Sequence, residues 1–240
     1  MAGHSKWANI RHRKGAQDSK RGKIFTKIIK EITVSARLHG GDQDSNPRLR
    51  KAVSNARSNN MPQNNIIRAI KKGTGELEGV TYEEMLYEGY GPNGIAILIE
   101  VITDNKNRTV SELRHILNKN NGNLAEPGSV AWMFIRKGEI IISDFDGNEG
   151  KLLEDIINSG ADDFEKIENG YLITTDQSEL LNAKDALEKK GYKIKSADVT
   201  MVPKSTHIVK EEDQSKIIDL MGIIDNHDDV NQVHSNFLIN

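Results

Sequence analysis

Cut after Lys72, the chain separates into two pieces of opposite charge, and this division limits what it can fold into more than any other feature. Residues 1–72 carry 17 Lys and Arg against four acids, Asp18, Glu31, Asp42 and Asp44, a net charge of +13. The remaining 168 residues carry 16 bases against 31 acids, a net charge of −15, so the overall −2 conceals two bodies that attract different partners. A bland solvated surface mixes the signs. At 240 residues the chain is long enough for two or three small domains, each with its own core.

Hydrophobic spacing divides the basic piece further. Residues 1–16, MAGHSKWANIRHRKGA, show neither helical nor strand periodicity and read as a basic arm. From Asp18, Ile24, Phe25, Ile28, Ile29, Ile32 and Ala36 recur every three or four residues until Gly40-Gly41, which predicts one amphipathic helix with Lys20, Arg21, Lys23, Lys27 and Lys30 toward its start or outer face. Asn46-Pro47 is an N-cap with proline at the first helical position, and Leu49, Ala52, Val53 and Ala56 supply the stripe of a second helix. After Asn59-Asn60 and Pro62, Ile66, Ile67, Ala69 and Ile70 mark a third, with Gly73 as its C′ residue.

The glycine-rich stretch 73–81 is read as a linker, and everything after it as α/β. Strands are expected at 94–103 and 129–135 around a helix at 108–120. A βαββαβ series follows: strand 139–143, helix 150–158, hairpin 163–175, helix 177–190 and strand 192–199. Strand 206–209, helix 211–225 and strand 230–237 supply the missing half of the first set. The expectation is an α+β multidomain fold with an N-terminal three-helix domain and two ferredoxin-like α/β domains, one inserted in the other. The boundaries are 1–75 for arm and bundle, 80–137 plus 201–240 for the split domain and 138–200 for the insert.

The chemistry follows the charge. Lys6, Arg11, Arg13, Lys14, Lys20, Arg21, Lys23, Lys27 and Lys30 place nine cations in the first 30 residues, with Trp7 and Phe25 between them. Phosphate is the matching counterpart: six neutralised phosphates give a slope of log K against log salt of about −4 to −5. Trp7 suits stacking on an unpaired base. His4 and His12 can donate to phosphate but have no second ligand at zinc spacing, so no metal is expected. Arg48, Arg50, Lys51, Arg57, Arg68, Lys71 and Lys72 on the second and third helices allow a helix-turn-helix reading. Gly73-Thr74-Gly75 lacks the Gly-Lys-Ser/Thr of a phosphate loop. Asp104, Asn105 and Asn107 before Arg108 read as capping and turn residues more than as a catalytic cluster. No cofactor is expected and no serine, histidine and acid arrangement appears, so the enzyme class is the weaker one.

The chain has no cysteine, which excludes disulfides, thiolate zinc sites and cysteine nucleophiles. No apolar run reaches the roughly 18 residues of a membrane span, and Met1 to Gly15 lacks the apolar segment of a secretory signal. A cytoplasmic protein with no membrane partner is expected.

The segments GHSKWANIRHRKGAQDSKRGKIFTKIIKEI, NPRLRKAVSNARSNNMPQNNIIRAIKKGTG, YEGYGPNGIAILIEVITDNKNRT and GSVAWMF closely resemble the YebC family. The resemblance runs from Gly3 to about Phe134, more weakly through the insert, and returns around Val230 to Phe237. It departs at VNQVHSNF, where the family pattern is closer to VQNVYHNF, and at Gly41-Asp42-Gln43, which lacks a common proline. The resemblance implies a helical first domain and two α/β domains, one inserted in the other. It implies two functions: DNA-binding transcriptional regulation, or translation control by ribosome-associated factors, like the mitochondrial translational activator of cytochrome oxidase, some relieving stalling at proline-rich stretches. The residues that match the N-terminal motif, and carry the expected contact with ribosomal RNA or promoter DNA, are His4, Lys6, Trp7, Arg11, His12, Lys14, Lys20, Arg21 and Lys23. The leading expectation is a non-enzymatic factor binding ribosomal RNA, and the alternative is a DNA-binding regulator.

Overall fold

A computed structural model describes residues 21–143, 145, 147–167 and 170–238. They fold into seven α-helices and three sheets, an α+β protein in which N-terminal helices precede the sheets. Residues 21–127 with 216–233 form one compact unit, and 128–215 with 234–238 form another.

The first unit begins with α1 (Arg21–His39), α2 (Pro47–Ser58) and α3 (Gln63–Thr74). Asn46 caps α2 by accepting from the Leu49 N–H at 3.0 Å, and its amide donates to the Ser35 and Gly40 carbonyls, so one buried side chain also ties the end of α1 to the start of α2. The stripes meet in a common core of Ile28, Ile32, Ala36, Leu49, Val53, Ala56, Met61 and Ile66. Gly73 is not the C′ residue: Gly75, at φ 83°, makes the left-handed turn that ends α3, and Gly73 lies inside the helix. Its role is steric. A Cβ there would sit 2.4 Å from the Thr33 carbonyl oxygen and 2.7 Å from Ala36 Cβ, so glycine lets the backbones of α1 and α3 touch.

A four-stranded sheet follows, ordered β3-β1-β2-β9, from β1 (Glu83–Tyr90), β2 (Ala96–Thr103), β3 (Asn123–Ala125) and β9 (Val230–Ser235). β2 is central and almost continuously apolar, as a strand buried on both faces must be. Leu113 and Leu117 of α4 (Lys106–Lys119) are fully buried, as are Ile217, Leu220, Met221 and Ile224 of α7 (Glu211–Asp225). Sequence periodicity misses β1 because Glu83, Glu84 and Glu88 interrupt its apolar residues, yet it pairs with β2 without a break from Glu83↔Thr103 to Tyr90↔Ala96.

In the second unit, β4 (Phe134–Ser143), α5 (Glu149–Asn158), β5 (Asp163–Ile167), β6 (Gly170–Asp176), α6 (Leu180–Lys189) and β7 (Ile194–Pro203) form an antiparallel sheet ordered β5-β6-β4-β7. This is the expected βαββαβ connectivity. Ile140, Ile142, Tyr171 and Ile173 pack with Leu152, Ile156, Leu180, Ala183 and Leu187 of its two helices. The expected strand 129–135 is corrected: Ala131–Met133 is a 3-10 turn, and the strand starts at Phe134 and runs unbroken to Ser143. Long-range pairing decides this, since β7 bonds the whole length of β4 and carries it through Gly138. The expected strand 206–209 is only β8 (His207–Ile208), paired in parallel with β10 (Phe237–Leu238) outside the four-stranded sheets.

Gly73→Ala separates the two roles of that glycine. In a helix with open space the change stabilises by up to about 1 kcal/mol, whereas at a closed crossing overpacking costs about 1–3 kcal/mol. We expect destabilisation, read as a lower urea midpoint with an unchanged m-value.

Candidate functional site

The lysines of α1 find their partners about 200 residues away in sequence. The last turn of α7 contains no basic residue of its own, and its terminal carbonyls need donors. Lys27 donates to the Asp225 carbonyl, Lys23 to the Asn226 carbonyl at 3.2 Å and Lys30 to the Asp228 carbonyl at 2.9 Å. Three cations on one helix thus meet the negative end of another. Lys23 also pairs with Asp228 at 3.2 Å, an exposed contact of small energetic weight.

Lys30 and Asp229 form the centre of this arrangement. Their charged atoms lie 2.5 Å apart with side chains only 8% and 3% exposed, so Lys30 is inside and not on the outer face of α1. Asp229 Oδ2 accepts from Arg108 at 2.8 Å and from the Thr109 hydroxyl at 2.6 Å, with the Thr103 hydroxyl 3.2 Å away. The Asp229 backbone is also engaged: its carbonyl accepts from the Ile102 N–H and its N–H donates to His227 Nδ1. A neutral His227 therefore carries its proton on Nε2 and donates it to Glu112 at 2.9 Å. Burial opposes the charged form of Asp229, but hydrogen bonds from Arg108, Lys30 and Thr109 outweigh it and hold the carboxyl well below the usual carboxylate range. The Tyr82 ring covers the ammonium of Lys30, 5.8 Å from ring centroid to Nζ.

The cluster at 104–108 is resolved by the same contacts. Asn105 caps α4 by accepting from the Arg108 N–H, as the sequence suggests, while Arg108 bridges Asp104 and Asp229. Glu112, His227 and Asp229 bring ligand-type atoms within 4.8 Å of one another. That trio is not built for a metal: the Asp229 oxygens already face Lys30 and Arg108, and His227 Nδ1 is held by a backbone N–H. An open cleft of about 800 Å³ borders these groups, lined also by Thr26, Ser111 and His115.

Other bundle cations are divided in the same way. Arg48 bridges Glu31 and Glu84, and although burial works against its charge, bonds to both acids push its pKa up. Arg50 donates to the carbonyls of Gln43 and Asp44. Arg37, Arg57, Arg68, Lys71 and Lys72 make no ion pair among the described residues. Arg37 and Lys72 line one groove of about 350 Å³ with Gly73, Gly75 and Gly79. Arg37 had no special signal in the sequence; only the fold shows that it makes no ion pair among the described residues, although Glu78 lines the same groove. Of the residues expected to bind nucleic acid, His4, Lys6, Trp7, Arg11, His12, Lys14 and Lys20 lie outside the described residues, Arg21 opens α1, and Lys23 is half-exposed at the α7 terminus.

Among the described residues no helix is long and apolar enough to cross a membrane. Residues 5–76 match the TACO1/YebC protein N-terminal domain, and residues 82–237 match the TACO1/YebC second and third domain. A probable transcriptional regulatory protein of Geobacter sulfurreducens is 51% identical over 237 residues, covering 99% of this chain and 96% of the relative. One of Halothermothrix orenii is 50% identical over 242 residues, covering 99% and 95%. The crystal structure of a conserved hypothetical protein from Aquifex aeolicus superimposes with a TM-score of 0.84 at 46% identity, covering 93% of this chain and 92% of that one.

Because Asp229 titrates below its ordinary value, the stability it contributes is complete above about pH 4 and is lost as pH falls through its folded-state pKa. Asp229→Asn leaves Lys30 buried without a counter-charge and is expected to cost about 3 kcal/mol at pH 7. Urea unfolding at pH 7 and pH 3 should show this deficit shrinking on acidification. A deficit of the same size at both pH values contradicts the assigned role.

Proposed function

The chain belongs to the TACO1/YebC family, and we propose that it is a regulatory factor that binds nucleic acid through its basic N-terminal third and works by binding, without bond-making chemistry. The observation that carries this reading is the division of cations in that third. Lys23, Lys27, Lys30 and Arg48 are consumed by partners within the fold. Arg37, Arg57, Arg68, Lys71 and Lys72 have no acid partner among the described residues, and the arm adds Lys6, Arg11, Arg13 and Lys14 with no acid before Asp18. Excess positive charge of this kind is what a phosphate backbone recognises, independent of base sequence.

The finer reading is a factor that binds ribosomal RNA on the ribosome and relieves stalled synthesis. Arg37 and Lys72 set two cations against one acid, Glu78, at a glycine-rich groove that suits a phosphate, and an arm that binds one arrangement of the surrounding RNA better than another shifts it toward that arrangement. The second reading is regulation of transcription on duplex DNA. It is favoured by the names of the relatives and by the α2 and α3 pair, joined by a short turn in which Asn60 takes φ 56°.

Sedimentation with ribosomes across a salt series, with random and promoter duplexes as controls, distinguishes these readings. The RNA reading expects saturable co-sedimentation and little discrimination between duplexes. Promoter recognition expects a specific-to-random affinity ratio of about 10³ or more. Replacing Lys6, Arg11 and Lys14 together by Ala should lower the salt slope by about two to three units while leaving the melting temperature unchanged. Affinity unchanged in that variant removes the arm from the interface.

A further inference from the structure

The second compact unit lies in the acidic piece of the chain, yet two of its segments contain no acid. Residues 127–138 and 199–210 hold Arg136, Lys137, Lys204 and Lys210 and none of the 31 acids that follow Lys72. The fold places these segments side by side. Phe134 pairs with Pro203 and Arg136 with Met201, and the Lys204 N–H donates to the Met133 carbonyl at 2.8 Å. β6 meets β4 only from Lys137 onward, so residues 134–136 and 201–203 extend past the sheet as a two-stranded ribbon.

At the far end of that ribbon the 3-10 turn Ala131–Met133 presents Trp132, which is 65% exposed. Its indole is fixed, not loose: Nε1 donates to the Ser129 carbonyl at 3.1 Å. No other ring touches it among the described residues. Ile135 and Ile208 are exposed in the same unit. Lys137 is drawn to Asp162 at 2.7 Å, but the exposed Arg136, Lys204 and Lys210 make no ion pair among the described residues.

A single exposed apolar side chain is ordinary, but a fixed aromatic face grouped with unpaired cations has the composition of a contact site. Tryptophan anchors protein interfaces as well as bases, but here the two segments around it lack acids and carry cations without an ion pair in a piece of net charge −15, which favours a polyanion. A stacking platform beside cations that track a backbone is the composition that holds single strands, whose bases have free faces, whereas duplex bases are already stacked. We infer that Trp132, with Arg136 and Lys204, forms a second nucleic-acid contact, specific for a single-stranded segment and distinct from the basic N-terminal third. The inference rests on the nucleic-acid reading above and adds to it a second site and the kind of strand it takes.

Trp7 and Trp132 are the only tryptophans, so Trp7→Phe makes Trp132 the sole reporter in the full chain. That variant is titrated with end-labelled oligouridylate and with a duplex of equal length, reading tryptophan emission and label anisotropy together. Saturable quenching by oligouridylate, absent with the duplex at equal occupancy, is the expected result. In the parent chain, Trp132→Ala should weaken oligouridylate binding about tenfold, the scale of one lost base stack, and Trp132→Phe should restore most of it. Arg136→Ala with Lys204→Ala should reduce the salt slope by about one to two units. Binding by anisotropy with unchanged Trp132 emission and a parent-like Trp132→Ala overturns this contact and leaves the proposed function standing. If neither nucleic acid binds at low salt, both fall together.

Discussion

The buried pair of Lys30 and Asp229 is the contact on which the first unit depends. An isolated charge on either side would be expensive to bury, and even as a pair the two repay their desolvation only if every remaining lone pair and proton is used. Most of that condition is met: Asp229 accepts from Lys30, Arg108 and Thr109, and Lys30 also donates to the Asp228 carbonyl and lies against the Tyr82 ring. The partners come from α1, α4 and the turn between α7 and β9. One carboxylate therefore joins the helical bundle to the sheet and to two of its helices. The same turn receives Lys23 and Lys27, so the orientation of α1 is set by its polar side as much as by the apolar stripe that faces α2 and α3.

This gives the charge division in the sequence a more precise meaning. The positive and negative pieces attract each other within the molecule before either attracts a partner. Part of the excess is used where α1 meets the end of α7, which neutralises carbonyls and an acid that would otherwise repel nucleic acid. What remains for the proposed phosphate contacts is the set of cations that make no ion pair among the described residues: Arg37, Arg57, Arg68, Lys71 and Lys72 in the bundle, and Arg136 and Lys204 in the second unit. A cation's value for binding is thus decided by its three-dimensional neighbourhood and not by the charge of its segment.

Much of the fold is legible in the sequence because it follows local rules. The spacing of Ile28, Ile32 and Ala36, the Asn46-Pro47 cap and the βαββαβ series each predict an element that is present. The misses occur where partners distant in sequence decide. β1 is rich in glutamate and becomes a strand because β2 lies beside it. Residues 131–133 have strand composition but form a turn because β4 and β7 begin their pairing only at Phe134. Gly73 follows a C′ pattern, yet the approach of Thr33 gives it another purpose. The Lys30 and Asp229 partnership spans 199 positions, and no spacing rule reaches that far. The family resemblance is visible in the same motifs that define the bundle, and the matches over 5–76 and 82–237 bear it out.

The central claim is that Lys27 and Lys30 of α1 hold the first unit together, while cations without an ion pair, Arg37 among them, are the ones proposed to bind phosphate. Lys30→Gln tests it most directly, with unfolding free energy and the salt slope of RNA binding measured on the same preparation. The account predicts a marked loss of stability and an unchanged slope. A slope lower by about one unit, with stability intact, would mean that Lys30 serves the nucleic acid and would contradict it.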